Sequence, residues 1–335
     1  MVAKIGIIGS GAWGLTLGKL LFQNNHDVIV WCHNDKVKKE ISEKHTLKSF
    51  FSSMTLPGEI KATTNLAEAV EQAGFIVLVV ASHFYRKMAK ELKPLLKAEQ
   101  IIVSATKGLE EDNLKRMSEV AVEELGGEIL ERFVVLSGPN LSKEIINNHP
   151  AAAVVAGKNI KQAEKVQNIF SSKIFRVYTS TDIVGVELGG TLKNVIAIAA
   201  GIADGLKFGN NSKAALMVRG AAEIVRLSIA LGSQPITLMG LSGMGDLIAT
   251  CTSNYSRNHQ VGEKLAKGKS LKQILKSMKA VAEGIKTSKA VYKLAQQKNI
   301  EMPIVEQVYK VLYEEKSPQQ AINDLMTRDP KAEHS

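Results

Sequence analysis

Lys4-Ile5-Gly6-Ile7-Ile8-Gly9-Ser10-Gly11-Ala12-Trp13-Gly14, followed by the helix-compatible run Leu15 to Gln23, decides the fold. A GxGxxG is weak alone, but here it follows a strand pattern and opens a helix, the context that gives it a mechanism. The glycines permit a tight turn, close approach of the backbone to a pyrophosphate, and close packing of helix on strand. The helix N-terminus adds free N–H groups and a partial positive charge of about half a unit. We therefore read Gly9, Gly11 and Gly14 as the phosphate cradle of a dinucleotide-binding βαβ unit. A plain Gly-rich turn is the bland alternative, and it leaves the flanking strand and helix unexplained.

Outward from this segment, short Val- and Ile-rich runs alternate with longer amphipathic stretches. Strands are expected at Ala3 to Ile8, Asp27 to His33, Phe75 to Val80, Ile101 to Ser104, Phe133 to Leu136, Ala151 to Val155 and Ile174 to Tyr178. Helical patterns such as His83 to Leu96 and Leu114 to Leu125 separate several of them, which implies a mainly parallel sheet covered on both faces. Lys44 to Thr64, with Phe50, Phe51, Pro57 and Gly58, lacks a clear period and reads as a loop. From about Asp182 strand signals stop and helical ones take over. Pro303 sits at a good first-turn position, and Ile304, Val305, Val308, Val311 and Leu312 then share a face. The fold class is α/β: a Rossmann-type mainly parallel sheet domain, residues 1–184, followed by an all-helical domain, residues 185–330.

The chain has 335 residues, is 45% hydrophobic and 23% charged, and carries 43 Lys plus Arg against 33 Asp plus Glu, a formal net charge of +10. That size supports two domains with a sizeable core and excludes a small stapled module. The surplus fits nucleic acid, an anionic membrane surface or an acidic small molecule. Only 5% of residues are aromatic, and no dense basic run with interleaved aromatics occurs, which argues against nucleic acid. Cys32 and Cys251 are far apart with no metal-ligand spacing, so neither a disulfide framework nor a metal site is expected, and a cytoplasmic location follows. The longest uninterrupted apolar stretches fall short of the roughly 18 to 20 residues of a membrane span, and no signal-peptide pattern opens the chain.

Selectivity for NAD usually rests on Asp or Glu at the end of the second strand. Here Trp31-Cys32-His33-Asn34 stands there instead. His33, with Lys36 and Lys38 beyond it, would not repel a 2′-phosphate, so NADPH is expected to be accepted, whether or not it is preferred over NADH. Ligands of open α/β sheets bind outside the carboxyl ends of the strands. Those ends carry Ser82-His83, Thr106-Lys107-Gly108 and Ser137-Gly138-Pro139-Asn140, and Lys107 is well placed for an anion. In the second half Lys193 lies just before a run that looks buried, so its ammonium must snorkel out, find a partner or serve a site. Beyond Gly243-Met244-Gly245-Asp246, the stretch Thr250 to Asn258 combines Arg257, Asn258 and several hydroxyls, a set suited to a phosphate monoester. Taken alone it is equally a polar surface loop.

GSGAWG at 9–14, ATKGLE at 105–110, SGPN at 137–140, GVELGGTLKNVIAIAAGIADGL at 185–206, GLSGMGDLIATCTSNYSRN at 240–258 and VAEG at 281–284 together resemble the NAD(P)-dependent glycerol-3-phosphate dehydrogenases of bacterial type. The resemblance spans nearly the whole chain. It implies interconversion of dihydroxyacetone phosphate and sn-glycerol 3-phosphate, which supplies the backbone of phospholipids, and it implies a homodimer. It makes Lys193 the proton donor and acceptor, and places Lys107, Gly138, Asn140, Asp246, Ser256, Arg257 and Asn258 on the substrate side. Gly9, Gly11, Ala12, Trp13, Gly14, His33, Lys107, Ser142, Arg257, Val281 and Glu283 fall on the cofactor side. Three departures stand out: Asn140-Leu141-Ser142 where the family has Thr or Ser, an aromatic, then Ala; Ala81 for a common proline; and Ala12 for the more usual Ser.

Reduction of a ketone needs a proton donor within hydrogen-bond reach of the carbonyl oxygen. An unperturbed lysine, with a pKa of about 10.4, is already protonated at neutral pH, so reduction is the expected working direction. Like charge from Lys107 and Arg257 would lower the Lys193 pKa and Asp246 would raise it, which leaves the net sign open. The competing readings are another hydroxyacid or ketoacid reductase of the same architecture, and a silent NAD(P) sensor or nucleic-acid binder.

Overall fold

The computed structural model describes residues 2–46, 48, 55–278 and 282–333. Its first half is built on a sheet of β1 (Lys4–Ile8), β2 (Asp27–Trp31), β3 (Lys61–Thr63), β4 (Phe75–Leu78), β5 (Ile101–Ser104), β6 (Phe133–Ser137), β7 (Ala151–Gly157) and β8 (Phe175–Ser180). The strand order is β3-β2-β1-β4-β5-β6-β7-β8, parallel throughout except between β6 and β7. β1 therefore has β2 on one side and β4 on the other, the point where strand order switches direction and where ligands of such sheets bind.

Successive side chains of a strand point to opposite faces, so each buried strand feeds two cores. Ile7, Val77 and Val103 pack on one face with Leu15, Leu17 and Leu21 of α1 (Ala12–Gln23). Ile8, Ile76, Leu78 and Ile102 pack on the other, beneath α3 (Leu66–Val70), α4 (Ser82–Leu92) and α5 (Met117–Leu125). α2 (Asp35–Lys44), α6 (Ser142–Ile145) and α7 (Ile160–Phe170) complete the layers.

The helical half follows the last strand at once. It comprises α8 (Ile183–Gly205), α9 (Asn210–Ala230), α10 (Pro235–Leu238), a π-helical turn at Leu241–Gly245, α11 (Asp246–Thr252), α12 (Arg257–Ala266), α13 (Leu271–Ser277), α14 (Glu283–Gln297), α15 (Pro303–Tyr313) and α16 (Pro318–Met326). α8 is apolar on nearly every side because it is the core of this half, packed by α9, α11, α12, α14 and α15. By length and composition it could cross a membrane, but 89% of its most apolar 18-residue window is buried inside the protein. α12 approaches it so closely that a Cβ on Gly262 would lie 2.0 Å from the Ile198 carbonyl oxygen. Glu223 on α9 accepts the Ile304 and Val305 N–H groups at 2.7 and 3.2 Å, closing the N-terminus of α15, and burial lifts its carboxyl to about 7.

The expected strands form within a few residues of their sequence limits, and the five apolar residues after Pro303 are all buried. Two expectations need correction. The 44–64 loop contains β3, an edge strand of three residues paired only to β2, too short to show a period. α5 starts at Met117, not Leu114: Leu114 has φ +57° and Arg116 is the cap, its N–H donating to Glu119 Oε2 at 2.8 Å. Phe50 and Phe51 lie outside the described residues.

Candidate active site

At the C-terminal end of β1 the three glycines do three different things. Gly9 has φ +129°, and a Cβ there would stand 2.5 Å from the Val79 carbonyl oxygen. A Cβ on Gly14 would lie 2.0 Å from the Gly9 carbonyl oxygen, so this glycine lets α1 start hard against the turn. A Cβ on Gly11 would meet nothing within 4 Å. Gly11 also caps α1 without a side chain, so no side-chain cap takes up the first N–H groups of the helix. Such a surface fits the pyrophosphate of a dinucleotide. Ala12 and Trp13 form the first turn; Trp13 packs on the sheet core while its buried indole N–H has no partner among the described residues.

His33 is exposed two residues past β2, its Nε2 2.7 Å from Asn34 Nδ2. The Asn34 side chain in turn accepts the Val37 N–H at 2.9 Å and so starts α2. Asp35, the first carboxylate after the strand, accepts from Thr64 Oγ1 at 3.1 Å. The rim where an adenosine ribose would lie thus carries an imidazole and an amide.

A second centre is built from side chains contributed by distant segments. Lys193, midway along α8, is 7% exposed. Its Nζ stands 3.0 Å from Asp246 Oδ1 and donates to Thr250 Oγ1 at 2.6 Å. Thr250, one turn after Asp246 on α11, donates to the same Oδ1 at 3.2 Å. Asp246 Oδ2 takes the Lys107 ammonium at 2.5 Å, and Lys107 also donates to the Gly138 carbonyl oxygen at 3.2 Å. One buried carboxylate therefore holds two ammonium groups, which leaves a net positive charge for an anionic ligand to meet. Burial pulls the Lys193 pKa down to about 8; Lys107 pushes the same way, and Asp246 opposes both. The sign that the sequence left open is therefore downward.

Contacts run from this centre to the cradle. Thr106 Oγ1, beside Lys107, donates to the Val80 carbonyl at 2.9 Å, and the neighbouring Val79 is the residue that crowds Gly9. From the helical side, Ser256 caps α12 by accepting the His259 N–H at 3.2 Å. Asn258 donates to Asn194 Oδ1 at 2.8 Å and accepts the Gly284 N–H at 2.9 Å, tying α8, α12 and α14 together next to Lys193. Arg257 is exposed at the first turn of α12. Glu283 at the start of α14 accepts from Ser82 Oγ at 3.0 Å, and burial holds its carboxyl above the usual range against the pull of Ser82 and Arg257. Asn140 donates to the Ala152 carbonyl oxygen at 3.0 Å, while its buried Oδ1 has no partner. Ser142 begins α6, and Val281 lies outside the described residues. Lys107 and Lys193 thus meet at Asp246, whereas the Arg257 charge acts on Glu283.

Two cavities among the described residues lie apart from this centre. One of about 940 Å³ lies between α8, α9, α15 and α16, and none of the candidate site residues lines it. The other, about 630 Å³, opens beside Tyr178, Met239, Ser242 and Ile248 and touches Gly245, the residue before Asp246.

Residues 4–163 match the family described as NAD-dependent glycerol-3-phosphate dehydrogenase N-terminus, and residues 182–323 match the corresponding C-terminus. The chain belongs to the NAD-dependent glycerol-3-phosphate dehydrogenases. It is 45% identical over 328 residues to the glycerol-3-phosphate dehydrogenase [NAD(P)+] of Pelotomaculum thermopropionicum, covering 98% of this chain and 94% of that one. It is 46% identical to the enzyme of the same name from Geobacter metallireducens, covering 99% of each. Among solved structures, glycerol-3-phosphate dehydrogenase from Coxiella burnetii superposes with a TM-score of 0.93 at 35% identity, over 98% of this chain and 99% of that one. A 2-dehydropantoate 2-reductase from Geobacter metallireducens shares the fold at 14% identity and TM-score 0.59, over 93% of this chain and 99% of that one.

Three residues inside the quoted motifs received no role from the sequence. Thr250 holds the Lys193 ammonium, and its i,i+4 spacing from Asp246 was the available signal. Thr191 and Glu187, on the face of α8 turned to the sheet domain, bond to Gly108 after β5 and to Ser118 in the first turn of α5, and nothing in their spacing points to those partners.

Proposed function

We propose that this chain is an NAD(P)H-dependent enzyme that reduces dihydroxyacetone phosphate to sn-glycerol 3-phosphate, reversibly, and so supplies the glycerol phosphate backbone for phospholipid synthesis. The observation that carries the reading is the buried Lys193 on Asp246 and Thr250, with Lys107 on the same carboxylate. The nicotinamide, when bound, supplies the hydride. Lys193 gives a proton to the carbonyl oxygen as the hydride arrives at carbon, and its ammonium becomes an amine that is reprotonated from solvent. With a pKa of about 8 the group is mostly protonated at neutral pH, which favours reduction, yet it serves as base for oxidation in mild alkali. Asp246 and Thr250 fix the ammonium, so no reorganisation is required at the moment of transfer.

Lys107, Gly138, Asn140, Asp246, Ser256, Arg257 and Asn258 are assigned to the substrate, with Arg257 and Asn258 toward its phosphate. Gly9, Gly11, Ala12, Trp13, Gly14, His33, Lys107, Ser142, Arg257, Val281 and Glu283 are assigned to the cofactor. Residues 1–184 form the nucleotide-binding domain and 185–330 the catalytic one, a division supported by the end of β8 at Ser180 and the start of α8 at Ile183. The enzyme is read as a cytoplasmic homodimer; two free, buried cysteines fit a reducing compartment, and the molar mass in solution tests the dimer.

Oxidation of NADPH and of NADH is measured with dihydroxyacetone phosphate, with dihydroxyacetone and with 2-dehydropantoate. Turnover confined to the phosphorylated triose is expected. A rate with 2-dehydropantoate equal to or above it would overturn the reading.

A further inference from the structure

Lys107 reaches Asp246 from a loop, and a loop does not hold an ammonium in place unless something holds the loop. The chain between β5 and α5 turns back on itself, with Leu109 and Arg116 paired across it. α8 grips it at both ends. The Thr191 hydroxyl accepts the buried Gly108 N–H at 3.0 Å, immediately after Lys107. One turn earlier, Glu187 accepts the Ser118 N–H at 2.8 Å, the Ser118 hydroxyl at 2.6 Å and the Arg116 guanidinium Nη1 at 2.9 Å. Glu187 is buried, and its three donors lie on Arg116, the cap at which the loop ends, and on Ser118 in the first turn of α5. Spaced i and i+4, the two residues share a helix face, and Lys193 lies two positions beyond. The same helix thus carries one ammonium directly and places the other through the loop.

We propose that Glu187 and Thr191 are positioning residues that set Lys107 against Asp246, and through it fix how strongly the second ammonium acts on Lys193. This rests on the functional reading above. The groups facing Lys193 are Asp246, Thr250 and Cys251 from α11 and Lys107 from the loop. Letting Lys107 drift away removes a like charge and frees Asp246 to serve Lys193 alone. Both effects favour the protonated form, so the alkaline limb of the reduction rate moves upward in pH.

The test compares Thr191→Val, which keeps the shape and loses the acceptor, with Thr191→Ser, which keeps it, and with Glu187→Gln. Melting temperature, KM for dihydroxyacetone phosphate and the pH profile of kcat/KM are measured for each. Thr191→Val and Glu187→Gln are expected to raise KM several-fold and to move the alkaline limb up by roughly 0.5 to 1 unit, while Thr191→Ser restores both. Lower melting temperatures with unchanged KM and pH limb would make the grip merely structural and overturn the proposal, as would a Ser variant no better than Val. A wild-type enzyme inactive on dihydroxyacetone phosphate would fell the functional reading itself, and this proposal with it; an active wild type with indifferent variants fells only the proposal.

Discussion

The glycine cradle and the lysine centre bind charge by opposite means. The cradle spans six consecutive residues, offers backbone N–H groups, and stays open where Gly11 stands. The lysine centre draws on residues up to 143 positions apart, Lys107 and Thr250, and works because Lys193, Asp246 and Thr250 are buried while Lys107 stays partly exposed at its edge. Backbone sites are specified by local conformation and tolerate little steric change. Side-chain sites are specified by packing, and burial sets their proton affinity.

The sharpest way to break this contrast is Lys193→Met. Asp246 keeps Lys107 as a partner, so the fold and NADPH binding are expected to survive while kcat falls about 10² to 10⁴-fold. Near-normal turnover would remove the lysine centre from the chemistry.

Gly11→Ala asks the opposite question of the cradle. Its φ of −73° suits alanine and its Cβ touches nothing, so melting temperature is expected to hold. The new methyl would stand where a pyrophosphate must approach, and KM for NADPH is expected to rise about tenfold or more. Unchanged cofactor affinity would mean that phosphate does not lie there.

Legibility in the sequence follows the same divide. The cradle and the alternating strands could be read because each leaves its pattern within a dozen residues, although the strands themselves pair with distant ones. β3 could not, since Lys61 to Thr63 is three residues long and its strand pairing is to β2, some thirty residues away in the chain. Lys193 could be singled out as a lysine before a buried run, but the direction of its pKa shift needed the third dimension, where burial outweighs Asp246. Asn258 was read as a phosphate ligand, and the structure adds a structural duty, bridging Asn194 and Gly284.

The smallest expected effect concerns the rim of the cradle. His33 is exposed and makes its contact to Asn34, so His33→Ala is expected to leave stability and NADH kinetics unchanged and to raise KM for NADPH about two- to fivefold through loss of one partner for the 2′-phosphate. Equal effects on both cofactors would place His33 away from that phosphate.

The most direct test of the central claim, that burial turns Lys193 into a proton donor working near neutrality, is the pH dependence of kcat/KM, which reports groups of the substrate-free enzyme, in both directions on one enzyme. Reduction needs the ammonium, so its rate should be flat at low pH and fall as pH rises through about 8. Oxidation needs the amine, so its rate should climb through the same midpoint. A shared midpoint near 8 with opposite slopes is the expected result; a reduction limb that stays flat to about 10.4, the pKa of an ordinary lysine, would contradict it.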